Sequence, residues 1–270
     1  MNININQDSQ QYMKNVRCFA LDMDGTFYLG NRLLGGSLAF IERLKETGRK
    51  FVFLTNNSSK SGIVYIKRLA DMGLTITAQE LVTSGQATIY YLKKKHQGKS
   101  VFLLGNSLLE TEFAAAGIRL EKYNPDMVVT AYDTTLDYAK LCAVCDFVRR
   151  GLPYIATHPD FNCPVETGCV PDIGAIHAFI HASTGRMPDR IIGKPYREGI
   201  EYALLQMNCK AEETAMVGDR LYTDIAAAQN VPGLTGILVL SGETKLSDLE
   251  HSEIQPHLVF DSLEKITPLL

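Results

Sequence analysis

The chain has 270 residues, of which 46% are apolar and 21% charged, with a formal net charge of −3. That length can bury a full core and suits one large or two modest domains. The charge balance gives no basic field, so nucleic-acid binding has no support. No apolar run approaches the length of a membrane span. Met1 to Gln11 is polar and lacks the basic-then-apolar pattern of a signal peptide, so a cytoplasmic protein is expected. The six cysteines (Cys18, Cys142, Cys145, Cys163, Cys169 and Cys209) are too sparse for a disulfide framework and read as free, mostly buried thiols.

Residues 1–15 read as a loosely attached tail. The apolar run 16–21 reads as a buried strand, closed by the turn Asp22-Met23-Asp24-Gly25-Thr26. Residues 33–47 read as a helix, with Leu38, Phe40, Ile41 and Leu44 near helical spacing and Gly48 as its stop. A second buried strand, 51–54, ends in the polar cluster Thr55-Asn56-Asn57-Ser58-Ser59, which opens a helix running to about residue 72. Residues 78–85 form a short helix or turn and a strand. This strand–helix–strand alternation predicts an open, mainly parallel sheet.

From about Gln86 the pattern starts again, with helices at 87–95, 108–116 and 136–149 and strands at 101–104, 127–130 and 154–157. A helix over 173–184 follows, stopped by Gly185. After Arg190-Ile191-Ile192-Gly193-Lys194-Pro195 come a helix at 197–207 and a strand at 214–217. That strand ends in Gly218-Asp219 and leads through Asp224 into a helix over 225–229. Strands at 236–240 and 258–260 complete the chain.

In an extended segment residues two apart face the same side, so Asp22 and Asp24 can converge just past the strand end. Close carboxylates need a cation or a shared proton, and oxygen-only ligands suit Mg²⁺. Taken alone, Asp-x-Asp also fits a solvated turn. The other strand ends carry complementary groups: Thr55, Asn56 and Asn57; Lys194; and Asp219 with Asp224. If the strands are parallel neighbours, these groups open on one sheet edge, the usual ligand crevice. Carboxylates for a cation, together with Thr55, helix-start N–H groups and Lys194 for a phosphate, point to phosphoryl transfer.

At these residues the sequence resembles a known family. Asp22-Met23-Asp24-Gly25-Thr26 looks like the first motif of the haloacid-dehalogenase-like (HAD) phosphohydrolases. Thr55 after an apolar strand resembles the second motif, Lys194 in Gly-Lys-Pro the third, and Gly218-Asp219 through Asp224 the fourth, in matching order and spacing. The Thr-Asn-Asn sequence, the large insert between the second and third motifs, and Gly-Lys-Pro resemble the NagD and p-nitrophenyl-phosphatase branch, subclass IIA. The resemblance covers about residues 16 to 265.

The resemblance implies an α/β fold: a Rossmann-like parallel-sheet core from residues 1–85 and 181–270, with an inserted α/β cap domain of the C2 type over 86–180. It implies that Asp22 is a nucleophile forming an aspartyl-phosphate and that Asp24 is the acid and base. Thr55 and Asn56, with Asn57 beside them, would hold phosphoryl oxygens, and Lys194 would neutralise charge. Mg²⁺ would be held by Asp22, the backbone carbonyl of Asp24, and Asp219. Asp224 would act behind them or through water, and it also fits an N-cap for the helix at Ile225.

In similar proteins the loop corresponding to 157–166 lines the substrate pocket, which makes His158, Asp160 and Glu166 candidate contacts; a plain surface loop is the alternative. The substrate class implied is a small phosphate ester, either a sugar phosphate or a nucleoside monophosphate. Cap-mediated dimers among similar proteins extend the expectation to a homodimer, with no nucleic-acid or membrane partner. Phe27 and Tyr28 stand where smaller aliphatic residues are commoner in the family and would narrow the pocket floor.

Three other signals carry less. Cys142-x-x-Cys145 lies inside a helical pattern rather than at a helix start. His177 and His181 have no third ligand, and Lys93-Lys94-Lys95 reads as a solvated helix end. A phosphotransferase or phosphomutase using the same intermediate, and a non-catalytic phosphate-ligand binding protein, are the alternative functions.

Overall fold

The computed structural model describes residues 8–165 and 168–270. They form two compact units. The first comprises the chain up to Thr55, Ile66–Val82 and Lys194–Leu270; the second comprises Asn56–Tyr65 and Thr83–Gly193. The second unit therefore extends beyond the 86–180 expected from sequence, because the strand Arg190–Ile191 pairs with Tyr154–Ala156 in its sheet.

The first unit is built on a six-stranded sheet in the order Leu258–Phe260, Thr235–Val239, Thr214–Gly218, Cys18–Leu21, Lys50–Thr55, Leu81–Thr83. Cys18–Leu21 lies in the middle, parallel to both neighbours, and all four of its residues are buried. Burial on both faces explains why this strand reads as a continuous apolar run instead of an alternating one. Phe19 packs edge-on against Phe40 of the helix Ser37–Glu46, with ring centroids 5.6 Å apart.

Leu21 is level with Phe53 on one side and Val217 on the other. Asp22, Thr55 and Asp219 thus follow within two residues of one line across the carboxyl ends of three adjacent strands. That edge is where open parallel sheets bind ligands.

The second unit has a five-stranded parallel sheet in the order Arg190–Ile191, Tyr154–Ala156, Met127–Thr130, Ser100–Leu104, Arg119–Leu120. The helices Tyr138–Arg149 and Ile173–Thr184 pack Val144, Phe147, Val148, Ile173 and Ile180 against Phe102, Leu104, Val128 and Tyr154. Among the described residues, no helix is long and apolar enough to cross a membrane.

Several local expectations are corrected. Part of the supposed tail is a helix, Asp8–Asn15, anchored by the buried Met13; residues 1–7 lie outside the described residues. The helix expected from residue 33 starts at Ser37. Before it comes a hairpin, Tyr28–Leu29 against Arg32–Leu33, and Gly36 with φ 80° starts the helix. The loop expected at 157–166 turns into a second hairpin, Asn162–Val165 against Gly168–Pro171.

Cys18 and Cys209 are joined in a disulfide, contrary to the expectation of free thiols, while Cys142, Cys145, Cys163 and Cys169 form no disulfide and, of these, only Cys145 is buried. The bonded pair is 191 residues apart and meets only because the helix Arg197–Met207 ends near the start of the central strand.

Cys209→Ser is expected to lower the free energy of unfolding by about 2–4 kcal/mol in non-reducing buffer. The natural protein should lose a similar amount when reductant is added. Identical denaturant midpoints for the two proteins without reductant would show that the crosslink contributes nothing.

Candidate active site

The site of the first unit is organised around one buried ammonium group. Lys194 Nζ donates to Asp22 Oδ1 at 2.5 Å and to Asp224 Oδ1 at 2.7 Å, and the lysine is 2% exposed. Asp219 completes the cluster: oxygens of Asp22, Asp219 and Asp224 all lie within 4.8 Å of one another.

Asp219 is fixed from both sides. It accepts from Thr26 Oγ1 at 3.2 Å and from the Glu243 N–H at 2.8 Å. The other oxygen of Asp224 accepts from the Arg220 N–H at 3.1 Å. Gly25, at φ +89°, and Gly218 lie so close that a Cβ on the first would collide with the Asp219 carboxylate, and one on the second with that of Asp224.

Asp224 is not the helix N-cap that its position suggested. Winding begins at Leu221 in a wide turn through Ile225, in which both Asp224 N–H and Ile225 N–H bond to the Arg220 carbonyl. This turn directs the Asp224 carboxylate back to Gly218 and Lys194.

Burial pushes the Asp22 carboxyl well above the ordinary range, and Asp224 and Asp219 push the same way while Lys194 opposes them. Asp219 is raised to about 6 by burial and then by Asp224. Burial works against the Lys194 charge, but Asp22 and Asp224 more than offset it and hold the proton on the amine. Three carboxylates face one ammonium, and the Arg220 guanidinium that also acts on Asp22 and Asp219 is shared with the Glu243 carboxylate, so negative charge stays in surplus. This buried, oxygen-only donor set with surplus charge fits a divalent cation.

Asp24 is set apart. Its carboxylate accepts from the Tyr28 hydroxyl at 3.2 Å, while Asp22, two residues away, joins the cluster. Thr55 is buried at the end of its strand. Phe27 is packed on Phe53, centroids 4.8 Å apart and fully buried, so it belongs to the core and does not form a pocket floor.

The remaining candidates lie in the second unit. Asn56 Nδ2 donates to Asp160 Oδ1 at 3.2 Å, and both residues are buried. Asn57 Oδ1 accepts from the Ser59 N–H and hydroxyl, and its Nδ2 faces Cys163 Sγ at 3.7 Å.

His158 is fully enclosed, with Nε2 3.0 Å from Asp172 Oδ1 and Nδ1 3.0 Å from Thr157 Oγ1. This bonding makes it an internal strut and removes it as a direct ligand contact. Burial would lower its pKa, but Asp172 outweighs that and raises it. His177, buried and beside the His158 ring, is lowered to about 3. It bonds Thr130 Oγ1 at 2.9 Å, so it is a core residue, as the absence of a third ligand suggested. Glu166 lies outside the described residues.

Sequence reading did not assign roles to Thr26, Arg220 or Glu243. Thr26 was visible inside the first motif, and Arg220 adjoins Asp219. Glu243 contributes a main-chain N–H, which no side-chain pattern announces. Its carboxylate also lies 3.0 Å from Arg220 Nε, though the N–H does not point at it, and accepts from the Tyr222 hydroxyl at 3.3 Å.

The ordinary Asp219 value of 3.8 rises to about 6 in the fold. Between those values the folded protein binds more protons than the unfolded chain, so the stability of the cation-free protein falls as pH rises through that window. A divalent cation favours the ionised carboxylates. Adding Mg²⁺ to chelated protein should therefore raise the unfolding temperature, and by more at pH 7 than at pH 5. No shift at either pH would remove the cation from this site.

Comparison with known proteins agrees with this geometry. Residues 19–119 match the family described as haloacid dehalogenase-like hydrolase, and residues 191–266 match a second HAD hydrolase-like family. The chain is 35% identical over 254 residues to the acid sugar phosphatase of Staphylococcus aureus (strain USA300), spanning 94% of this chain and 97% of that protein. It is similar to the solved 4-nitrophenylphosphatase of Thermotoga maritima, with 45% identity and a TM-score of 0.92 over 95% of this chain and 98% of that one. NagD from E. coli K-12 gives 32% identity and a TM-score of 0.85 over 93% and 98%. The chain belongs to the haloacid dehalogenase-like hydrolases, in the branch of NagD and the p-nitrophenyl phosphatases.

Proposed function

We propose that this protein is a Mg²⁺-dependent phosphatase of small phosphate monoesters, sugar phosphates or nucleoside monophosphates, working through an aspartyl-phosphate on Asp22. The observation that carries the proposal is the placement of Lys194, which holds Asp22 Oδ1 at 2.5 Å and is itself held by Asp224. This pairing keeps the carboxylate oriented and its partner charged, as a nucleophile facing an anionic phosphate requires. Names of similar proteins, among them an acid sugar phosphatase and a 4-nitrophenylphosphatase, support the substrate class.

In the first step an oxygen of Asp22 bonds to phosphorus, the bond from phosphorus to the leaving oxygen breaks, and Asp24 gives that oxygen its proton. In the second, water attacks phosphorus, Asp24 takes the water proton, and the Asp22–phosphorus bond breaks to release inorganic phosphate. Asp22, Asp219 and the Asp24 carbonyl would hold Mg²⁺, which would supply positive charge opposite the phosphate. Asp224 anchors Lys194. Thr55 would bind a phosphoryl oxygen. In this reading the second unit is the family's cap domain, and Asn56, Asn57 and Asp160 help shape its part of the substrate contacts.

Phosphate release from p-nitrophenyl phosphate and a panel of sugar and nucleoside monophosphates is expected with Mg²⁺ and not with chelator. Asp22→Asn should lower kcat by about a thousandfold or more, and beryllium trifluoride should bind the natural protein and not this variant. An unchanged rate in Asp22→Asn would sink the assignment.

A further inference from the structure

We infer that Tyr28, held in place by Arg68, is a positioning residue for the Asp24 acid/base, fixing which carboxylate oxygen carries the transferable proton. The inference rests on the role given to Asp24 above.

The contacts lie within the first unit. Tyr28 is fully buried, and its hydroxyl donates to Asp24 Oδ2 at 3.2 Å. Its main chain grips the same turn. Tyr28 N–H bonds to the Met23 carbonyl at 3.1 Å and the Gly25 N–H bonds to the Tyr28 carbonyl at 2.8 Å, so the peptides on both sides of Asp24 are tied to one residue.

Arg68, from the helix Gly62–Asp71, covers the tyrosine. Its guanidinium lies 4.5 Å from the ring centroid, Nη1 is 3.5 Å from the hydroxyl oxygen, and Nη2 donates to the Gly30 carbonyl at 2.6 Å. The chain therefore runs from a cation through a phenol to a carboxylate. With its oxygen receiving from Arg68, the phenol has one proton to give, and that proton points at Asp24. Hydrogen bonds linked in this sense polarise one another.

The chemical consequence is specific. Because Oδ2 accepts from Tyr28 whether Asp24 is neutral or ionised, the proton that Asp24 transfers sits on Oδ1. In the first step the Oδ1–H bond breaks as the bond from hydrogen to the leaving oxygen forms. The carboxylate left behind keeps its phenol donor. In the second step the water proton returns to the same oxygen. A neutral phenol suits this better than an ammonium, since it orients the carboxylate while opposing its protonation far less than a full positive charge would.

The leaving group supplies the test. A sugar alkoxide needs a proton in order to depart, whereas p-nitrophenolate leaves readily without one. Tyr28→Phe removes only the hydroxyl and keeps the ring beneath Arg68. It is expected to lower kcat/KM for a sugar phosphate by about tenfold, and that for p-nitrophenyl phosphate by less than about threefold. In an Asp24→Asn background the same change should cost nothing further, because the amide can still accept from Tyr28 but has no transferable proton left to place. Arg68→Lys, which keeps the charge but loses the fork, should shift the ratio of the two substrates in the same direction by a smaller factor; it carries the test if Tyr28→Phe does not fold.

Equal losses on both substrates would assign Tyr28 a purely structural role and overturn the inference, as would undiminished turnover of the sugar phosphate. Full turnover of that ester by Asp24→Asn is a separate failure: it would overturn the reading of Asp24, and the role of Tyr28 with it.

Discussion

One buried ammonium sets the terms for the first unit. Lys194 is shared between Asp22 and Asp224 with Asp219 beside them, and removing one partner from such a buried pair typically costs about 3–5 kcal/mol. The surrounding backbone is shaped to let these groups meet. Gly25 and Gly218 leave no room for a side chain where the carboxylates pass, and the wide turn after Arg220 brings Asp224 back over the strand end. Even so, one ammonium does not balance three carboxylates. Burial first, and then repulsion from the neighbouring carboxylates, pushes Asp22 and Asp219 upward, and a divalent cation that relieves the repulsion suits the site. The same imbalance would be a defect in a purely structural core.

The chain's route adds a second constraint. Thr55 is the last residue before the chain first passes into the second unit, and Lys194 is the first after its final return. Two of the groups proposed to meet the phosphate therefore stand at crossing points. Within the second unit the residues next to them are firmly held. Asn56 bonds Asp160 and its carbonyl accepts from the Ser84 hydroxyl, while the Gly193 N–H bonds the Thr157 carbonyl at 2.7 Å. Gly193 has no space for a Cβ beside Thr157 and Asn56. His158, joined to Asp172 and Thr157, stiffens the segment that receives both crossings. Its burial thus fits a role in the frame around the insert.

Much of the architecture was legible because it is written locally. Buried parallel strands appear as short apolar runs, and each run that matters ends in a polar group. Asp22, Thr55 and Asp219 could therefore be placed on one sheet edge before any coordinates. Features made by distant chain segments were not legible. The Cys18–Cys209 bond needs a helix end and a strand start to meet across 191 residues. Asp219 is held by a main-chain N–H at Glu243 that leaves no mark on composition. His158 was a candidate contact because the corresponding loop lines the pocket in similar proteins; Asp172, 14 residues later, draws it inward. The helix was read from residue 33, which the structure places at the end of a hairpin; Gly36, at φ 80°, is the local sign that winding starts only at Ser37.

Asp22 and Asp24 are two residues apart in one turn, yet their surroundings fit opposite tasks. Asp22 lies against an ammonium, which opposes the upward push of burial on its carboxyl and orients it for the attack on phosphorus in the proposed cycle. Asp24 lies against a phenol, which orients it while leaving its charge state free to change during the proposed cycle. A nucleophile that stayed protonated would not attack, and an acid pinned as a carboxylate would have no proton to give. The roles are divided by what each carboxylate touches, since sequence position alone makes the two equivalent. Lys194 and Tyr28 are the residues that break that equivalence.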